Sequence, residues 1–214
     1  MTELDTNAYW RKRHDDFREN SQGVGNLSLS RTQNDAIYER ARQQMAAILD
    51  SLGVASGGKA LDLGCGIGMM APPIIERGLE YVGVDVSPTA IEIASSSHPN
   101  GNFQCSDLTT LALRGTRFDI ILERTVFIHL VSNQKFRAAV RVVSDHLSDS
   151  GVFLIHDKIC VGEEERPAPH VVFRSQEQWD ECLGLYGLEF NSALQRRLHE
   201  RGASRSLSIV TKKR

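Results

Sequence analysis

The sequence lacks most of the features that would place it outside ordinary soluble globular proteins. No apolar run reaches the roughly 18 residues that a membrane-spanning helix needs. The most apolar stretch, residues 118–131, is interrupted by Asp119, Glu123, Arg124 and His129. The opening residues, MTELDTNAYWRKRHDD, contain no unbroken apolar segment of the secretory type, so a cytoplasmic location is expected. Cysteine is scarce: Cys65, Cys105, Cys160 and Cys182 are widely spaced and form no C-x-x-C pair. That spacing argues against a zinc site and against a disulfide framework. Charge of one sign is also lacking, since 25 Lys+Arg against 27 Asp+Glu leaves −2. A balance this even gives no footprint for nucleic acid. Lys212-Lys213-Arg214 is a basic tail too short to be more than solvated. There is no internal repeat and no low-complexity tract.

What is present suits one folded domain. At 214 residues, 41% hydrophobic and 24% charged, the chain can bury a full core without staples. Residues 5–20 read as a polar helix with Tyr9, Trp10 and Phe17 as its apolar content, broken at Gly23-Val24-Gly25-Asn26. Ile37, Ala41, Met45, Ile48, Leu49 and Leu52 follow the helical period in a second helix. Thr32 with Asp35 suggests its capping box, and Gly53 its left-handed end. From residue 59 short apolar runs alternate with helical patterns. Strands are expected at 59–64, 81–86, 103–106, 118–123 and 152–156, with a final pair at 188–194 and 205–211 that can lie antiparallel. Ser87-Pro88 opens one helix. Ser132 opens another, with Phe136, Val140, Val143 and Leu147 as its stripe. Ser175 with Gln178 caps a third, which ends at Gly187. Residues 161–170 read as a loop. Strands alternating with helices imply βαβ units and a mostly parallel sheet covered on both faces.

The most informative segment is Asp62-Leu63-Gly64-Cys65-Gly66-Ile67-Gly68. A strand runs into a glycine turn, where ligands of open parallel sheets bind. An acid inside that strand repels a pyrophosphate but suits an ammonium or sulfonium. Asp85 ends the next strand, where a carboxylate can accept both hydroxyls of a ribose. The dinucleotide spacing G-x-G-x-x-G is not met, because Met69 stands where the third glycine belongs.

With these residues the sequence resembles the class I S-adenosylmethionine-dependent methyltransferases of small-molecule type. The resemblance is carried by DLGCGIG at 62–68, GVDVS at 83–87, CSDL at 105–108, FDIILERTVFIHL at 118–130 and HLSDSGVFLIHDK at 146–158, and covers about residues 30–214. It implies a Rossmann-like α/β fold: a doubly wound, mostly parallel seven-stranded sheet with an antiparallel last strand, helices on both faces and extra N-terminal helices. It implies S-adenosyl-L-methionine as cofactor. It implies Asp62, Gly64, Cys65, Gly66 and Gly68 around the methionine end, Asp85 at the ribose, Val86, Asp107 and Leu108 at the adenine, and Glu123 with Arg124 beside the methionine. Residues 1–30, with Trp10 and Tyr9, would form a lid over the cofactor bound by residues 31–214. Plain structural readings stand beside these. Asp107 can cap the next element, Cys65 can be a small buried residue, and Glu123-Arg124 can be a structural ion pair. Pro72-Pro73 should make the helix after the glycine turn start late or distort.

Methyl transfer from a sulfonium is an in-line displacement governed by positioning and desolvation. A hydroxyl acceptor also needs a general base, which histidine supplies. Candidates follow the fourth and fifth strands: His129 first, then His156 and Asp157, with His170 and Arg174 as substrate-binding residues. No acidic triad for a divalent metal is evident, so no metal is expected. The expected partner is a small-molecule acceptor with its methylated atom O, N or S, hydroxyl or carboxyl being favoured. Nucleic acid and membrane are not expected, and the chain would act as monomer or homodimer. Two other readings remain open: a cofactor-binding member of the fold that does not methylate, and a nucleotide-dependent oxidoreductase.

Overall fold

The structure is a computed structural model that describes residues 5–201, 203 and 207–213. The chain begins with α1 (Thr6–Phe17), a single 3-10 turn at Ser21–Gly23, and α2 (Arg31–Leu52). It continues through β1 (Lys59–Leu63), α3 (Ala71–Ile75), β2 (Glu80–Asp85), α4 (Pro88–Ser97), β3 (Asn102–Cys105) and β4 (Phe118–Glu123). A 3-10 turn at Phe127–His129 leads to α5 (Asn133–His146) and β5 (Leu147–Ile155). A hairpin of β6 (Glu165–Ala168) and β7 (Val171–Phe173) follows, then α6 (Gln176–Leu185), β8 (Leu188–Phe190), α7 (Ser192–Glu200) and β9 (Ser208–Lys212).

Seven strands form one sheet in the order β3-β2-β1-β4-β5-β9-β8. Neighbours from β3 to β5 are parallel, and β9 runs antiparallel to both β5 and β8. The strands alternate between two cores. Leu61, Leu63, Ile121 and Phe153 face α5 and α6 through Phe136, Val140 and Trp179. Ala60, Ile120, Leu122 and Leu154 face α2 and α3 through Ile48, Leu49 and Ile74. The order reverses between β1 and β4, which opens a crevice at their carboxyl ends. The register Leu63↔Val84 and Leu63↔Glu123 brings Asp62, Asp85 and Glu123 to that one edge.

Several local expectations shift. The α2 capping box is Ser30 with Gln33, not Thr32 with Asp35: Ser30 Oγ accepts from Gln33 N at 3.2 Å, and Gln33 Oε1 accepts from Ser30 N at 2.8 Å. Tyr38, not Ile37, turns inward, and Ile37 is 43% exposed. Leu147 begins β5 instead of ending α5. Residues 161–170 are not all loop, since β6 pairs with β7. The strand expected at 188–194 ends at Phe190, and residues 192–194 instead open α7; residues 205 and 206 of the expected last strand lie outside the described residues. Pro72 and Pro73 do fall at the start of α3, which is only five residues long. No helix among the described residues is long and apolar enough to cross a membrane.

Candidate active site

The crevice is lined by α1, the glycine turn, the end of β2, Ser106–Leu108 and the turn after β4, and is open to solvent at its mouth. Its floor is the glycine turn. Gly64 has φ 74° and sits under Val126, so a Cβ there would come within 2.5 Å of Val126 Cγ2. Gly68 does something different: its Cβ would meet the His98 ring, and it does not line the crevice. The sequence-stretch resemblance placed Gly68 at the cofactor, and its glycine is instead required by packing against the end of α4. Cys65 lines the crevice with its thiol buried, and burial pushes that thiol well above the ordinary range, which suits a small wall residue and not a nucleophile.

Asp62 is 3% exposed and accepts from the Tyr81 hydroxyl at 2.7 Å. Burial pushes its carboxyl up to about 7, with the Tyr81 bond opposing and Asp85 and Glu123 adding to the rise. Asp85 is held by main-chain donors: Oδ2 accepts from Gly66 N and Oδ1 from Ser87 N, both at 2.9 Å. These bonds fix the carboxylate while each oxygen keeps a lone pair for another donor. His14 Nδ1 lies 3.8 Å from Asp85 Oδ1, buried and without a hydrogen-bond partner.

α1 closes the mouth. Asn7 Nδ2 donates to Asp107 Oδ2 at 2.7 Å, Arg11 Nε donates to the Val86 carbonyl at 3.1 Å, and Thr89 Oγ1 donates to Asp15. Trp10 lines the crevice together with Val86 and Leu108. Asp107 also caps its own turn by accepting from Thr109 N and Oγ1 at 2.8 and 2.7 Å, so its structural and crevice-facing readings coexist. Sequence reasoning missed Asn7, His14 and Tyr38, which line the same crevice. The polar pattern of α1 hid the first two, although a Trp with flanking His and Asn on a sparse apolar face was a usable sign.

The turn after β4 carries His129. Its Nδ1 lies 2.7 Å from the His170 carbonyl, which can only accept. Nδ1 therefore bears the proton and Nε2 keeps its lone pair. The ring meets Trp10 edge-on, with centroids 4.7 Å apart, and lies parallel to His170 at 5.6 Å. Burial lowers the His129 pKa to about 4, so the ring is neutral at ordinary pH. Tyr9 and His170 stack at 4.7 Å behind Trp10 and His129, and neither is on the crevice wall.

Three other candidates are structural. Glu123 is buried and off the crevice wall: Oε2 accepts from Val126 N at 2.9 Å and Phe127 N at 3.4 Å, and Oε1 from His156 N at 2.7 Å. Asp157 Oδ2 accepts from Ile128 N at 3.0 Å, and burial, with the Glu123 charge beside it, pushes its carboxyl well above the usual range. Together the two carboxyls fasten the turn that presents His129. Arg174 is 2% exposed, donates to the Leu130 carbonyl at 2.7 Å and covers the Phe136 ring at 4.0 Å. It ties the end of β7 to the start of α5 and is not among the residues of the crevice wall. His156 faces a second, smaller cavity under α2, with burial lowering its pKa to about 4. Arg124 lines both cavities, and no ion pair within 4 Å joins it to Glu123 among the described residues. Also among the described residues, no three His, Cys, Asp or Glu side chains are grouped to hold a metal.

A methyltransferase domain family model matches residues 60–151, the segment holding the glycine turn, Asp85, Asp107 and His129. The chain is 34% identical over 159 residues to a ubiquinone biosynthesis O-methyltransferase of Bradyrhizobium diazoefficiens, covering 72% of this chain and 54% of that one. Residues 60–151 are thus similar to the methyltransferase domains that the sequence resembles. A second ubiquinone biosynthesis O-methyltransferase, from Bartonella quintana, is 35% identical over 101 residues, covering 45% of this chain and 40% of the relative. The chain thus spans about half or less of the length of these relatives. The fold matches that of magnesium protoporphyrin IX methyltransferase from Synechocystis PCC 6803, solved with S-adenosylmethionine, at TM-score 0.69 and 16% identity over 99% of this chain and 98% of that one.

The residues present fit the superfamily's cofactor. A buried carboxyl raised to about 7 at Asp62 gains most from a nearby ammonium or sulfonium, which would restore its charge. The backbone-fixed Asp85 offers two acceptor oxygens to a vicinal diol. Val86, Leu108 and Trp10 supply apolar walls for a planar base.

Proposed function

We propose that this chain methylates an oxygen atom of a small-molecule acceptor. S-adenosylmethionine, when bound, supplies a methyl group already activated by its sulfonium. The chain's own residues then have to bind, dry and align the reactants, and remove one proton from a hydroxyl acceptor. Asp62 and Asp85 would hold the two ends of the cofactor, and α1 with Trp10 would keep water from the crevice. The observation that carries the reading is His129, whose Nδ1–H is spent on the His170 carbonyl, leaving Nε2 as a proton acceptor on a wall of the crevice. A neutral histidine with that tautomer takes up a proton as the new bond forms. The curated relatives named as O-methyltransferases support the same choice of atom.

The test is transfer of labelled methyl from S-adenosylmethionine to a panel of phenols, alcohols, carboxylic acids, amines and thiols. Label should appear in O-methyl products. His129→Asn should lower kcat by about a hundredfold or more, with affinity for S-adenosylhomocysteine, measured by calorimetry, changed much less. Label found only in N- or S-methyl products, or an undiminished kcat in the variant, would refute the proposal.

A further inference from the structure

The acidic groups around the crevice are all engaged. Asp62 accepts from Tyr81, Asp85 from Gly66 and Ser87, Asp107 from Asn7 and Thr109, and Glu123 from three main-chain N–H groups. The buried arginines Arg13 and Arg174 are engaged through their terminal nitrogens, although their Nε atoms have no partner: Arg13 donates to the Gln22 and Gly25 carbonyls, and Arg174 to Leu130. Arg124 is the exception on the crevice wall. Its guanidinium makes no hydrogen bond and no ion pair with any described residue; the Tyr38 ring centroid lies 5.9 Å from Cζ, and the Glu123 carboxyl acts on it only through space. A half-buried guanidinium with five donors and no acceptor is an unfilled site for an oxyanion. Burial accordingly lowers its pKa.

Its position says what the anion belongs to. Arg124 and His129 stand on one turn after β4, both on the crevice wall, with Thr125 between them at φ 56°. A non-glycine residue held in the left-handed region there is strain retained at a site of use. Arg124 also opens onto the cavity under α2, away from the Asp85 and Asp107 end. We propose that Arg124 anchors a carboxylate of the acceptor, which makes the acceptor class a hydroxy acid whose hydroxyl faces His129. This rests on the methyl-transfer reading above for the role of His129, but not for the binding of the anion.

The test uses a dihydroxybenzoate, a hydroxycinnamate and an aliphatic hydroxy acid, each paired with its own carboxamide. Binding is measured by calorimetry with S-adenosylhomocysteine at saturation. At least one acid should bind about tenfold or more tighter than its amide. Arg124→Gln should erase that preference, and Arg124→Lys, which keeps the charge, should retain much of it. Affinity for S-adenosylhomocysteine itself should stay within a fewfold in both variants. Equal binding of acid and amide, no binding of any acid, or a loss confined to S-adenosylhomocysteine would overturn the assignment, the last by giving Arg124 to the cofactor's own carboxylate. Acid binding without label transfer would defeat the methyl-transfer reading and leave the anion site standing.

Discussion

At the level of single residues, the most consequential group is Asp62. Its folded pKa of about 7 lies above the ordinary 3.8, so the folded protein binds more protons than the unfolded chain between those values. Asp62 therefore favours the unliganded fold at low pH, and that contribution is lost as pH rises toward and through about 7. His129 and His156, lowered to about 4, act in the opposite sense: their stability is lost as pH falls from the ordinary 6.5 toward about 4. A difference measurement isolates the aspartate. Asp62→Asn keeps an acceptor for Tyr81, and its melting temperature should exceed that of the parent by a margin that widens from about pH 5 to about pH 8. The same variant should bind S-adenosylmethionine about tenfold or more weakly. A margin that stays flat with pH would contradict the raised pKa. The motif made Asp62 and Asp85 legible because an acid before a glycine turn and an acid ending the next strand are local signals. Glu123, Asp157 and Arg174 were not legible. Nothing in a one-dimensional pattern distinguishes a carboxylate that faces a ligand from one that accepts three main-chain N–H groups behind the wall.

Among the elements, the strands and the capped helices could be read because their signals are periodic or stereotyped. α7 could not: of Ser192–Glu200 only Leu198 is buried, Leu194 packs beside it one turn earlier, and a single apolar pair behind the Asn191 cap is too short a pattern to set a period. The β6–β7 hairpin is equally silent, since two short strands containing Pro167 pair by main chain with an irregular register. α1 was legible as a helix, and its role as a cover depends on Asn7, Arg11 and Asp15, whose partners lie far along the chain. This placement has an optical consequence. Of the two tryptophans, Trp10 lines the crevice while Trp179 is 2% exposed in the core. Titration with S-adenosylhomocysteine should change the emission of the protein, and Trp10→Phe should abolish the change. A response that survives in Trp10→Phe would place the ligand elsewhere.

For the molecule as a whole, ligand binding at the switch point of the sheet touches α1, the glycine turn, β2 and the turn after β4 together. Saturation at about a hundred times the dissociation constant adds about 2.7 kcal/mol to the folded state. For a domain of this size that raises the melting temperature by roughly 5–10 °C. S-adenosylhomocysteine should produce such a shift and NAD should not, a scan that checks the cofactor class before any acceptor is known. The opposite ranking would overturn it. One detail of the hairpin also bears on how this protein can change over generations. The oxygen that sets the tautomer of His129 belongs to the main chain at position 170, not to a side chain. A side-chain anchor disappears with a single codon change, whereas a carbonyl is supplied by whichever residue occupies the position. The hairpin surface is thus free to drift toward new molecules while the reactive nitrogen keeps its proton inventory.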